Sequence, residues 1–184
     1  MDSVRERCAD AAVVLLGEGG ARALTHRAAD ARARVPAGST SNHFRTRDAL
    51  LAGALQRIGE LEREHLAGLR APAAVDAAEL LVDVLAAAIG FLLGPGRTLA
   101  RARHAVFLEA AWRPHLREAV LAGTRPFWAL LAEALRAAGA AEPERAARRL
   151  LAYVDGLVVD QLLRPEEGFD AVAAVRTFLR GALR

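Results

Sequence analysis

Six arginines fall within residues 21–47, at positions 22, 27, 32, 34, 45 and 47, and Asp30 alone opposes them, so this stretch carries a net charge of +5. Residues 1–20 carry −2, and residues 48–184 balance to zero. The arginine fork is always charged and meets phosphate oxygens two at a time. A charge excess confined to one short segment therefore suits a polyanion. Interleaved with the arginines are small hydrogen-bonding side chains. Asparagine pairs well with adenine, and threonine can meet a thymine methyl. Ser39, Thr40, Asn42 and His43, with the apolar Ala37 ahead of them, are candidates to face base edges or their flanking phosphates. Thr25, Arg45 and Thr46 either touch phosphate or cap helices.

Those side chains need elements to hold them. Thr25 suits the N-cap of a helix over His26–Arg32, because its hydroxyl can take an unpaired backbone N–H. Ala33-Arg34-Val35 leave room for a turn and little more. Pro36 suits the first position of a second short helix, to about Asn42, where a missing N–H costs nothing. Phe44 is the nearest apolar anchor, and Thr46 caps a long helix that begins Arg47-Asp48-Ala49-Leu50-Leu51. Upstream, Ser3 and Glu6 form a capping-box pattern. It opens a helix to about Glu18 with Val4, Cys8, Ala11, Ala12, Leu15 and Leu16 on one face. Gly19-Gly20 is expected to end that helix.

Gly19-Gly20, Leu24-Thr25-x-Arg27, Ala29, Ala33-x-Val35, Gly38-Ser39, His43-Phe44 and Thr46-Arg47-Asp48-x-Leu50 resemble the N-terminal DNA-binding domain of TetR-family transcriptional regulators, in order and in spacing. The resemblance implies DNA contact by Thr25, Arg27, Arg34, Pro36, Ala37, Gly38, Ser39, Thr40, Ser41, Asn42, His43, Arg45, Thr46 and Arg47. Two positions depart from the family pattern. Arg34 stands where glycine is usual in the interhelical turn; left-handed backbone there costs a non-glycine residue on the order of 1 kcal/mol. Ser41 stands where a phosphate-touching tyrosine is common.

The rest reads as helices with short breaks: Thr46 past Leu66 toward Ala71-Pro72, Val75–Leu93, Thr98–Trp112, His115–Ala138 with a kink at Pro126, Pro143–Leu163 and Phe169–Leu183. Lysine is absent, and aromatic and β-branched residues are sparse, which favours helix over sheet. The single Cys8 sits on the apolar face of the first helix and excludes a disulfide framework. Leu80–Leu93 is too short to span a bilayer and contains Asp83. The expected fold is all-α: a three-helix helix-turn-helix domain over residues 1–47, joined by a long helix to a helical ligand-binding and dimerisation domain over 48–184. A cytoplasmic protein without membrane association is expected. Chemistry is not prompted. No Gly-x-Ser-x-Gly, Walker lysine or His-Glu-x-x-His is present. Histidines 26, 43, 65, 104 and 115 form no i, i+4 pair. We expect no catalytic residue, no metal site and no cofactor.

On the last two helices the apolar residues make arcs wider than one packing partner needs. Leu150, Val154, Leu157, Val158, Gln161, Leu162, Val172, Val175 and Leu179 are therefore candidates for a homodimer interface, and the resemblance implies the same pairing. It also implies an inducer pocket among the middle helices. His65, Phe91, His104, Phe107, Phe127, Trp128 and Tyr153 are candidate lining groups for a largely apolar small molecule; Trp112 is an alternative helix-end plug. Asp155 and Asp160, on an apolar helix, are expected to have partners. The reading is a ligand-responsive repressor of a palindromic double-stranded operator. The alternative is a helical ligand-binding or scaffolding protein without specific DNA recognition.

Overall fold

The computed structural model describes residues 3–68 and 76–183. Among the described residues there are helices and no strands: α1 (Val4–Ala23), α2 (His26–Ala33), α3 (Ser39–His43), α4 (Arg47–Gly68), α5 (Ala77–Leu93), α6 (Arg97–Trp112), α7 (Pro114–Ala137), α8 (Pro143–Leu163) and α9 (Ala171–Ala182). The break expected at Ala71-Pro72 and the start expected at Val75 lie outside the described residues. No single described helix is long and apolar enough to cross a membrane. The chain divides into two compact units, Met1–Glu64 with Gly96–Gly123 and His65–Pro95 with Thr124–Arg184.

The first unit is built on α1. Its capping box is complete: the Glu6 amide donates to the Ser3 hydroxyl at 3.1 Å and the Ser3 amide donates to the Glu6 carboxylate at 2.6 Å. Those bonds hold the Glu6 carboxyl below its usual range. Cys8, Ala12 and Leu16 are buried on one face, as small and apolar residues at helical spacing should be. Gly17 lets α1 lie against α6, since a Cβ there would come within 2.2 Å of the Thr98 carbonyl oxygen. Helix α1 does not end at Gly19-Gly20. Gly20 takes φ 67° and kinks the helix, which resumes to Ala23. A single glycine in positive φ interrupts the ladder without forbidding another turn. Leu24, Leu50, Leu51, Ala54 and Ile58 complete the core with Phe44. Gly53 makes room for Phe44, whose ring would sit 2.3 Å from a Cβ at that position.

Ion pairs tie α4 to its neighbours within this unit. Arg57 donates to Asp10 of α1 at 2.7 Å, and this bond chiefly raises the arginine's affinity for its proton. Glu62 faces Arg103 of α6 at 3.1 Å, both side chains being nearly buried. At the start of α4, Asp48 receives Arg113 and His115, the latter at 2.6 Å. Burial works against the Asp48 charge, but hydrogen bonds from Arg113 and His115 outweigh it and lower its pKa.

In the second unit α5 packs on both α8 and α9. Val82, Leu85 and Ile89 of α5, Leu135 of α7, Leu150, Val154 and Val158 of α8, and Val175 and Leu179 of α9 are buried. Helix α7 runs through Pro126 without a break and turns out of the helix at Gly139, φ 88°. Pro143 starts α8 as its missing N–H allows. Helix α9 starts at Ala171 and not at Phe169, because Asp170 is its N-cap and takes the Ala173 amide at 3.0 Å. Arg176 of α9 reaches Glu79 of α5 at 2.6 Å.

Candidate nucleic-acid interface

The turn between α2 and α3 fixes what can face DNA. Arg34 takes φ 53° and ψ 49°, the left-handed conformation expected where glycine is usual. Its amide bonds back to Ala31 at 3.3 Å and the Val35 amide to Asp30 at 3.1 Å, closing α2. Pro36 does not open α3. It lies in the turn ahead of it, where its carbonyl accepts the Ser39 amide at 3.1 Å, and Gly38 with φ 88° is the residue before the helix. The left-handed Gly38 resets the chain direction, so the helix can begin only after it.

Asp30 holds the start of α3. It is 6% exposed, and its carboxylate accepts the Gly38 and Thr40 amides, each at 2.7 Å. Burial disfavours its charge, but hydrogen bonding by Thr40 and Gly38 outweighs burial and keeps the carboxyl below the usual range. From the other end of α3, His26 donates from Nε2 to the Phe44 carbonyl at 2.6 Å. Arg5 lies over the Phe44 ring, 5.2 Å from its centre.

Thr40 is fully buried, so it cannot reach a base; it faces the core side of α3 beside Asp30. The side chains of Ser41, Asn42 and His43 are exposed and make no hydrogen bond or ion pair among the described residues. The same holds for the guanidinia of Arg27, Arg34 and Arg45. Ala37 is exposed beside Gly38 in the turn. Ser39 is half-buried and gives its hydroxyl to Pro36 at 2.6 Å. Thr25 and Thr46 are caps, accepting the amides of Ala28 and Ala49 at 3.1 and 3.0 Å.

Arg47 is not available for phosphate. Its guanidinium donates to the Leu24 and Ala21 carbonyls, both at 2.5 Å, and closes the end of α1. Arg32 is paired with Glu18 at 2.9 Å. The +5 of this stretch is thus presented mainly by the four guanidinia without a partner among the described residues, those of Arg22 near the end of α1, Arg27 on α2, Arg34 in the turn and Arg45 just after α3. Thr40 and Arg47, candidates for DNA contact, are used inside the fold, and Asp30, which counts in the sequence only as an opposing charge, holds the start of α3. The available signal for Asp30 was its place eight and ten residues ahead of two amides at a helix start.

The candidate ligand residues belong to both units. His65 stacks on Phe91 in the second unit, ring centres 3.7 Å apart, and its Nε2 is buried without a hydrogen-bond partner. Tyr153 donates its hydroxyl to the Ala174 carbonyl at 3.1 Å and stacks on Phe178, so it joins α8 to α9. Trp128 lies under the Arg148 guanidinium at 4.5 Å, joining α7 to α8, and Phe127 is half-buried beside it in sequence. His104 donates from Nδ1 to the Ala100 carbonyl at 2.7 Å and meets Phe107 edge-on; both belong to the first unit. Trp112 plugs nothing: it is 86% exposed. Asp160 pairs with Arg164 one turn along α8.

Of the candidate interface residues, Leu150, Val154, Val158, Gln161, Val175 and Leu179 are buried within the protomer's own core. Gln161 spends its carbonyl on the Glu166 amide at 3.0 Å. Leu157, Leu162 and Val172 are half-buried, and Ala152, Gly156 and Leu163 lie exposed on α8.

Comparison with known proteins places this geometry in a family. Residues 76–184 match the model described as the tetracyclin repressor-like C-terminal domain. The multidrug binding protein EbrR, in a structure complexed with ethidium, is 32% identical over 97% of this chain and 98% of its own, with a TM-score of 0.76. A member of the TetR family from Streptomyces coelicolor is 32% identical over 97% and 98%, TM-score 0.74. A transcriptional regulator from Rhodococcus sp. Rha1 is 28% identical over 98% and 96%, TM-score 0.79. No protein of curated function matches the sequence. The chain belongs to the TetR family of transcriptional regulators, with an N-terminal helix-turn-helix and a helical C-terminal domain.

Proposed function

We propose that this protein is a homodimeric, sequence-specific DNA-binding repressor that a small molecule releases from a palindromic operator. In this reading residues 1–47 bind DNA, residues 48–184 bind ligand and dimerise, and the protein acts in the cytoplasm by binding, not by turnover. The observation that carries it is that the side chains of Arg27 on α2, Arg34 in the turn and Arg45 just after α3, like those of Ser41, Asn42 and His43 on α3, are exposed and without a partner among the described residues. Unpaired guanidinia supply phosphate affinity, and the short polar side chains between them supply base contacts. Ala37, Gly38, Thr25 and Thr46 flank that surface. One five-residue helix offers few base contacts, so two copies on a two-fold operator are required for selectivity.

For the ligand, the buried free Nε2 of His65 beside the Phe91 ring supports an apolar or aromatic molecule with one hydrogen-bonding atom. EbrR, complexed with the flat aromatic ethidium, favours the same class. Phe127 is the further aromatic left for such a site. A ligand that fits the DNA-incompetent state better shifts the population away from the operator by its differential affinity. For the dimer, the exposed row Ala152, Gly156 and Leu163, with Leu157, Leu162 and Val172, is the α8–α9 surface that a partner subunit can reach.

The test is fluorescence anisotropy with a labelled fragment from just upstream of the protein's own gene, against a scrambled duplex. Selective binding, lost on adding a ligand, supports a repressor. Equal binding to both at every salt concentration would instead favour a scaffold without sequence reading.

A further inference from the structure

Helix α3 has five residues, far too few to hold its own shape or direction in water. Its internal ladder amounts to little more than the Asn42 amide on Gly38 at 3.0 Å and the Phe44 amide on Thr40 at 2.8 Å. What fixes its leading end is a side chain from another helix. Asp30, buried on α2, takes the Gly38 amide on one carboxylate oxygen and the Thr40 amide on the other. Two bonds from one rigid carboxylate to amides two residues apart define a rotation as well as a position. That rotation puts Thr40 inward and Ser41, Asn42 and His43 outward.

The same bonds have an electrostatic consequence. The open amides at a helix start would attract a phosphate. Here a carboxylate already stands in that place, and the Ser39 amide is taken by Pro36. Phosphates must then be met by the free arginines beside the helix.

We infer that Asp30 is a positioning residue for DNA recognition: it sets the rotation of α3, and so decides which side chains read bases, while denying the helix start to phosphate. This rests on the DNA-binding reading proposed above and adds the residue that determines specificity without touching DNA.

The test compares three full-length proteins on a pool of duplexes with a randomised 20-base-pair core, the bound fraction being sequenced. They are the unaltered protein, Asp30→Asn, and Asp30→Ala combined with Thr40→Leu. The double variant removes the carboxylate and the buried Thr40 hydroxyl but leaves the Gly38 and Thr40 amides without their acceptor, so its fold is checked before its binding is read. Helix content and melting temperature are recorded for each. The unaltered protein should enrich one two-fold pattern. The double variant, folded and still dimeric, should lose about tenfold in selected-over-scrambled affinity, while its binding to scrambled DNA is kept or strengthened by the lost negative charge. Asp30→Asn, which retains one acceptor, should fall between. A folded double variant that enriches the same pattern as strongly as the unaltered protein overturns the inference alone. No enrichment by the unaltered protein overturns the DNA reading, and this inference with it.

Discussion

Glu62 of α4 faces Arg103 of α6 at 3.1 Å with about a tenth of each side chain exposed. Two charges taken out of water offset part of their lost hydration through each other, so breaking the pair is costly while replacing both is not. Glu62→Gln should destabilise the protein by about 3 kcal/mol. The double change Glu62→Met with Arg103→Met should recover most of that loss. Urea unfolding of the three proteins measures it; equal stability for the single and double variants would mean that the pair is not the source.

Arg45 and Arg47 are alike in type and two residues apart, and the fold gives them different work. Arg47→Ala removes charge-assisted bonds to two helix-end carbonyls and should cost about 2 kcal/mol of stability. Arg45→Ala should leave the melting temperature within a degree or so and weaken DNA binding at low salt. A melting scan beside a DNA titration separates them. The opposite pattern would place Arg47 on the DNA and Arg45 in the fold.

The carboxyl of Asp30 is held below its usual range, so its bonds to Gly38 and Thr40 add stability above the ordinary carboxylate pKa. That contribution fades as pH falls through the lower folded value. Asp30→Asn should therefore melt well below the unaltered protein at pH 7, with the gap narrowing below about pH 4. A gap constant from pH 7 to pH 3 would mean that the lost charge is irrelevant.

Gly17→Ala should be harmful out of proportion to one methyl group. The added carbon meets the Thr98 backbone, which cannot rotate away, so α1 and α6 must separate, costing about 2 kcal/mol. Gly156→Ala makes the contrast, since a Cβ there meets nothing within 4 Å in the protomer. Thermal melts of both compare them. If Gly156→Ala, or Leu163→Asp on the same exposed row, shifts the sedimentation coefficient toward a monomer, that face is covered by a partner; an unshifted dimer would exclude it.

Much of this fold was legible in the chain because its punctuation is local. Ser3 with Glu6, Thr25, Thr46 and Pro143 mark helix starts through bonds made within four residues, and each element begins where those residues put it. The left-handed turn at Arg34 was legible through the family resemblance, in which glycine is usual at that place. Gly20 was harder, because a kink and a stop use the same glycine. The site was less legible because its side chains are sorted by contacts distant in sequence. Thr40 looks like Ser41 until Asp30 is found beneath it, and Arg47 looks like Arg45 until Ala21 and Leu24 come within reach. Tyr153 has the composition of a pocket residue, but its hydroxyl is used 21 residues away on α9. An apolar arc on α8 likewise cannot say whether its cover comes from α5 or from a second subunit.

The most direct test of the central claim is the salt dependence of DNA binding for single arginine variants. The logarithm of the binding constant falls linearly with the logarithm of salt concentration, and each lost phosphate contact reduces the slope by about one. Binding of the upstream fragment by the unaltered protein should be selective. Arg27→Ala, Arg34→Ala and Arg45→Ala should each reduce the slope by about one per protomer, whereas Arg32→Ala, whose guanidinium is paired with Glu18, should not. Identical slopes for all four variants and the unaltered protein would contradict the assignment of this surface to DNA.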